Sequence, residues 1–288
     1  MRFIIIGGGC YGIYHSHQLY KAIQKGKLPA DSRLIVIDRN AAPPALAEHG
    51  HKPGYEFVQS DWQDYLLAFF ADPRQYDLAR DGETVQIVPP PYAPHLFFDW
   101  LRLATAAYLE NHGYNHIQIE REGFEYKMHT PYEYIDPKNG NHFLSRAGWT
   151  CPAFCVEPRL CPAVKGVRDW DLANDLERFV FGQPVQPSAS AAGRLAAANL
   201  ANGQNPTAIL DTPPAGRYSL AETFKCHHYM HGIGTIAAPR LLEARERVVQ
   251  VALTLDAAHP EARVAVGTVS HCHGVVATIA LKYSKPDK

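Results

Sequence analysis

Two groups of residues have the types and spacing to do chemistry. The first is Gly7-Gly8-Gly9-Cys10-Tyr11-Gly12, which directly follows the apolar run Phe3-Ile4-Ile5-Ile6. Glycines at positions 7, 9 and 12 allow a tight turn, a close backbone approach and close packing of a helix on the strand. A helix starting there points its first N–H groups and a partial positive charge at an anion such as a phosphate. The second group is Cys151, Cys155 and Cys161, at C-x3-C-x5-C spacing in a segment stiffened by Pro152, Pro158 and Pro162. A stiff loop can present several thiolates to one centre, and soft thiolates suit zinc or an iron–sulfur cluster.

Elements must position both groups. Met1–Ile6 reads as a strand, Ile13–Lys25 as a helix, and Leu34–Ile37 as a second buried strand that ends in Asp38. Strand, glycine turn, helix, strand and acid form the βαβ unit that binds dinucleotides. Asp38 lies somewhat further along than the usual spacing of about 20 residues, and polar Lys25–Ser32 can loop out to absorb the excess. Asp38 is placed to accept hydrogen bonds from a ribose, with Arg39 beside it. Tyr55–Val58 reads as a third strand. Ser60 or Asp61 can cap a helix over Trp62–Phe70. Glu83–Val88 reads as a fourth strand and His95–Glu110 as an amphipathic helix. Alternating strands and helices predict a doubly wound parallel sheet, whose ligands sit at the carboxyl ends of the strands. Gly7, Asp38 and Asp61 all fall at such ends. The glycine-turn set is therefore Gly7, Gly9, Cys10, Tyr11, Gly12, Asp38, Arg39 and Asp61.

On these residues the N-terminal part resembles the Rossmann-type NAD(P)/FAD dinucleotide-binding superfamily. The resemblance covers about the first 115 residues, and its specific part is the first 40. Phe57-Val-Gln-Ser-Asp61 before a helix is similar to the third strand of nucleotide-binding domains in bacterial potassium-uptake regulators. Those carry Gly where this chain has Ser60. The opening also looks like the FAD-binding unit of flavoprotein oxidoreductases, but no second flavin-binding segment follows. The resemblance implies NAD as cofactor, with FAD as the alternative.

The expected class is α/β. A Rossmann-like doubly wound parallel sheet over 1–115 precedes an α+β portion over 116–288 that carries the Cys/His residues. Tyr132–Ile135 and His142–Ser145 flank a turn rich in Asp, Asn and Gly and predict a hairpin. Trp170–Phe181 predicts a helix with Asp169 as cap. Residues 183–214 are Pro/Ala/Ser/Asn-rich and read as a low-complexity excursion. Arg217–Cys226 predicts a strand, Thr235–Val251 a helix, and Arg263–Ser270 with Val275–Lys282 a strand pair.

The thiol loop needs a fourth ligand, either Cys226 in Cys226-His227-His228 with His231 nearby, or the His271-Cys272-His273 tip. On a strand, His271 and His273 would share a face opposite Cys272. The expected ligand set is Cys151, Cys155, Cys161 and Cys226, with zinc or an iron–sulfur cluster as the bound species. The alternatives are that these thiols pack as small apolar groups or form a redox-active pair. His228, His231 and His273 are candidate acid–base groups. The same side chains can equally bond backbone carbonyls.

Composition narrows the classes. The chain has 288 residues, 46% of them hydrophobic, and a net charge of −1. No basic stretch suits nucleic acid, and no apolar run approaches the ~20 residues of a membrane span. The first strand leaves no room for a signal peptide, so a cytoplasmic protein with reduced thiols is expected. The expected function is an NAD(P)-dependent oxidoreductase-like protein acting on a small molecule. The alternative is a non-catalytic nucleotide sensor, whose small molecule is an effector. A homo-oligomer stays open in either case.

Overall fold

The computed structural model describes residues 1–72, 74–75, 84–90, 95–128, 130–147, 155–163, 165–183, 213–230 and 232–285. In chain order the elements are β1 (Arg2–Ile6), α1 (Cys10–Gln24), β2 (Arg33–Asp38), α2 (Pro44–His49), β3 (Tyr55–Gln59), α3 (Trp62–Ala71) and β4 (Val85–Val88). Next come α4 (Leu96–Asn111), β5 (Ile117–Glu122), β6 (Tyr132–Ile135), β7 (His142–Ser145), β8 (Leu160–Cys161), β9 (Gly166–Val167) and α5 (Leu172–Val180). The last are β10 (Leu220–Lys225), β11 (His227–Met230), β12 (Ile233–Ala237), α6 (Ala238–Leu253), β13 (Glu261–Val269) and β14 (His273–Tyr283). The protein is mixed α/β, and no described helix is long and apolar enough to cross a membrane.

The chain divides into two compact units that interleave in sequence. The first comprises Met1–Trp100, Ala153–Val156 and Cys226–Glu243; the second comprises Leu101–Pro152, Glu157–Lys225 and Ala244–Lys288. The sheet of the first unit has the order β11-β12-β4-β1-β2-β3. β4, β1, β2 and β3 run parallel, while β12 is antiparallel to β4 and β11 to β12. β1 lies in the middle and is buried along its whole length, as its unbroken apolar run requires of a strand covered on both faces. Phe3, Ile5, Leu34, Val36 and Val88 from the strands meet Leu19 and Ala22 of α1 in one core cluster. Asp61 caps α3 by accepting from the Gln63 N–H at 2.7 Å.

The second unit is built on a sheet of order β10-β13-β14-β7-β6, with β5 also paired to β14. β10 and β13 are parallel and the other pairs antiparallel. α5 supplies Leu172, Leu176 and Phe179 to a cluster with Phe124, Tyr126, Tyr218, Ala265 and Val276.

Some expected elements shift. The helix read over Trp170–Phe181 begins at Leu172, and its cap is Asp171, not Asp169: Asp171 Oδ1 accepts from the Ala173 N–H at 3.2 Å. Thr235–Ala237 belongs to β12 and not to a helix, because pairing Ile236 with Ile87 extends the first sheet beyond β4. The helix α6 follows only at Ala238. Nearly all of the 183–214 excursion lies outside the described residues.

Candidate functional site

The glycine turn follows β1 in the first unit. Gly7 has φ 91, a backbone conformation that favours glycine, and its N–H bonds to the Ile37 carbonyl at 2.8 Å. A Cβ at Gly12 would lie 2.3 Å from the Gly7 carbonyl oxygen, so helix and strand meet there in a contact only glycine allows. At Gly9 a Cβ would meet nothing within 4 Å. Gly9 is the N-cap of α1, and no side chain caps the helix. Cys10, in its first turn, is exposed, and Tyr11 is half-buried.

Asp38 faces this turn. Its Oδ2 accepts from the Gly8 N–H at 2.7 Å and its Oδ1 from the Asn40 N–H at 2.8 Å. Each carboxylate oxygen keeps a further lone-pair direction, so these bonds orient the acid without exhausting it. Gly8 and Asn40 are thus parts of the turn to which the motif alone assigned no role. Arg39 makes an ion pair with Asp61 at 3.0 Å. With Arg39 75% exposed, the pair contributes little stability, but it holds the guanidinium toward Asp61. Asp61 is thereby committed both to the cap of α3 and to Arg39. Behind the turn, His15 of α1 is buried, and desolvation pushes its pKa down to about 4. His49 is also buried, between Tyr20 and Tyr55, with its Nε2 3.2 Å from the Ile13 carbonyl and its Nδ1 2.7 Å from Lys52 Nζ. A lysine can only donate, so His49 accepts at Nδ1 and donates at Nε2.

The expected metal ligands are distributed as follows. Cys151 lies outside the described residues, as does His231. Cys155 and Cys226 belong to the first unit, both half-buried, and Cys161 is buried in β8 of the second. No disulfide joins the described cysteines, and among the described residues no group of three or more His, Cys, Asp or Glu is arranged to hold a metal ion. Cys272 is buried with Ala147 and Trp170, and its sulfur accepts from the Trp170 indole N–H at 3.2 Å. His228 Nδ1 lies 3.3 Å from the Gly232 carbonyl, a backbone role.

A polar cluster in the second unit surrounds the turn between β13 and β14. His271 Nδ1 lies 2.6 Å from Glu157 Oε2, and the His271 backbone N–H donates to Glu157 Oε1 at 3.0 Å. Both carboxylate oxygens therefore grip one residue. The Glu157 side chain is 8% exposed and its backbone has φ 47, unusual for a residue with a side chain. On the other side of His271, Asp171 Oδ2 lies 3.9 Å from Nε2 and accepts from Lys225 Nζ at 2.6 Å. His273 Nδ1 lies 2.9 Å from Ser145 Oγ, which itself donates to the Ala147 carbonyl at 2.7 Å. The serine proton is thus committed, so His273 donates to Ser145 and the two are not a nucleophile–base pair. Burial pushes the His273 pKa down, with Glu157 acting in opposition. The sequence points to His273 but not to Glu157 and His271 as a pair. They are 114 positions apart, and no periodicity links them.

Fold and site thus define a mixed α/β protein with a glycine turn facing an acid in one unit and a carboxylate–histidine cluster in the other. A family model described as "Uncharacterized protein, C-terminal domain" matches residues 97–202 and 208–282, and the chain belongs to that family. No curated protein and no solved structure matches it.

Proposed function

We propose that the first unit is a Rossmann-like domain that binds an adenine dinucleotide, and that the chain is an NAD(P)-dependent oxidoreductase acting on a small molecule. The observation that carries this reading is the turn itself. Gly7 has the positive φ, Gly12 has the close contact, Gly9 has open space above it, and Asp38 is tied to the same turn through Gly8. The parallel order β3-β2-β1-β4 supports it, since it places the ends of β1 and β2 side by side. The fit to the cofactor is good: an uncapped helix start suits the pyrophosphate and a carboxylate suits the ribose hydroxyls. When bound, the nicotinamide would accept or deliver a hydride.

NAD is the preferred form. Asp38 repels a 2′-phosphate, and Arg39, the residue best placed to offset that repulsion, is engaged by Asp61. Calorimetric titration of the whole protein with NAD(H), NADP(H) and FAD tests the reading. Micromolar binding of NAD(H), weakened by Gly9→Val, is expected; no heat with any of the three refutes it. Binding without turnover of NADH by any acceptor would identify a nucleotide sensor instead. We also propose that cysteines of this chain bind zinc or an iron–sulfur cluster. Elemental analysis and an absorption spectrum of anaerobically purified protein test that assignment, with Cys155→Ser expected to lower the metal content.

A further inference from the structure

We propose that β6 is a dimerisation edge, to which a second copy of this chain adds its own β6 antiparallel about a two-fold axis. The inference does not rest on the dinucleotide reading and is tested separately from it.

β6 ends the sheet of the second unit, and among the described residues it pairs only with β7. The Asp136 N–H donates to the Asn141 carbonyl at 2.9 Å, and this bond sets the alternation of the strand. Asp136, Tyr134 and Tyr132 turn their backbone groups toward β7, so Glu133 and Ile135 turn theirs to the open edge. No described residue bonds the backbone N–H or carbonyl of either. Such an edge is a template for another strand. Its side chains favour cover as well. Tyr132 and Tyr134 share one face and are 41% and 56% exposed. Phe143, opposite Tyr134 on β7, is 37% exposed, and the two rings stack with centroids 6.2 Å apart.

The strand fits itself. With Tyr134 opposite the partner's Tyr134, Glu133 and the partner's Ile135 exchange two hydrogen bonds, and Ile135 and the partner's Glu133 exchange two more. Pro131 and Pro137 bracket these residues two places out. Having no N–H, they end the ladder on both sides. Sliding the pairing by two residues either way sets a proline opposite Glu133 or Ile135 and forfeits bonds. Sliding it by one turns the aromatic face over. The register that remains is symmetric, and it joins both Tyr134 rings, each beside its own Phe143, into one aromatic face. Charge complies. Tyr132, Tyr134, Phe143 and Ser145 place none on that face. Glu133, the only charged residue of β6, turns to the other face, where its carboxylate accepts from the Thr130 N–H at 2.5 Å and lies 3.0 Å from His142 Nε2. At a net charge of −1, two copies meet without appreciable repulsion. Each copy has one such edge, so the contact closes at two.

The full chain is followed by sedimentation velocity over a concentration series. A particle of twice the 32.0 kDa chain mass is expected to form by about 100 µM. Tyr134→Lys sets two ammonium groups opposite each other and is expected to weaken the dimer about tenfold or more. The site is exposed, so the variant is expected to keep the wild-type circular dichroism. A wild type that stays monomeric throughout overturns a second copy as the occupant, and so does a dimer unmoved by Tyr134→Lys. Cross-linking reads the register. Facing residues of a non-hydrogen-bonded pair have Cα atoms about 4.5 Å apart, within disulfide reach. Under mild oxidation Tyr134→Cys is expected to link two copies through position 134, as shown by peptide mass mapping. Tyr132→Cys, displaced along the strand from its own mate, is not. Failure of Tyr134→Cys to link, or linkage through position 132 instead, overturns the pairing.

Discussion

Gly12→Ala is the sharpest test of the glycine turn, because its effect can be worked from one distance. The added carbon would sit 2.3 Å from the Gly7 carbonyl oxygen. A tolerable carbon–oxygen contact is about 3.3 Å, so α1 and β1 must separate by about 1 Å. The obstacle is backbone and cannot swing aside as a side chain would. Overpacking of this kind costs about 1–3 kcal/mol, and the gain in helix propensity from Gly to Ala returns up to about 1 kcal/mol. The net loss expected is about 1–2 kcal/mol, or a Tm lower by roughly 2–3 °C for a chain of this size. Gly9→Ala is the matched control. Its φ of −74 suits alanine and its Cβ direction is open, so Tm should hold or rise. Dinucleotide affinity should nevertheless fall in both variants. In one the helix N-terminus has moved, and in the other a methyl group stands where the proposed dinucleotide would place its pyrophosphate. Thermal melts and calorimetry on the two proteins separate stability from binding. If Gly12→Ala melts no lower than Gly9→Ala, the close contact between α1 and β1 is not the reason for that glycine.

Three further outcomes are expected. The His15 pKa is depressed from 6.5 to about 4, so His15 contributes stability that is full above pH 6.5 and lost as pH falls toward 4; the swing is roughly 3 kcal/mol, and His15→Gln should flatten urea-melt stability across that window. Asp38→Asn should narrow the gap between NAD and NADP dissociation constants, and equal constants in the wild type would refute the role of Asp38. Arg146 and Asp175 form a buried pair at 2.5 Å, and burial pushes the Asp175 pKa up even with the arginine present; Arg146→Met strands that carboxylate and should cost about 3–5 kcal/mol in chemical denaturation.

Local signals make part of this fold readable. β1, α1 and β2 announce themselves through apolar runs around glycines, and Asp61 before an apolar helix is a cap that the chain uses as such. The hairpin of β6 and β7 comes from its turn residues. Elements that depend on a distant partner stay hidden. Thr235–Ala237 has no local reason to be a strand apart from the β4 edge it covers. β5 escapes notice because its six residues take their pairing from β14. Asp169 and Asp171 are equally good caps on paper, and the choice falls to Asp171, which also holds Lys225. The site divides in the same way. The glycine turn is contiguous and legible, whereas Glu157, Asp171, Lys225 and His271 come from four separate elements and loops.

The pairing of β14 has a consequence for the order in which this protein acquires its structure. Val275 and Val276 join β7, Thr278–Tyr283 join β5, and Glu261–Val269 line the other edge. The strand that unites this sheet is the last of its members to leave the ribosome. β5 and β7 therefore wait, unpaired along the edges that β14 will cover, while more than a hundred further residues are synthesised. The first sheet has a milder version of the same delay, since β4 keeps an open edge until β12 arrives. Loops of this length close slowly, and uncovered edges invite wrong partners. Folding of the second unit is thus a late event, with its period of greatest aggregation risk falling between synthesis of β7 and arrival of β14.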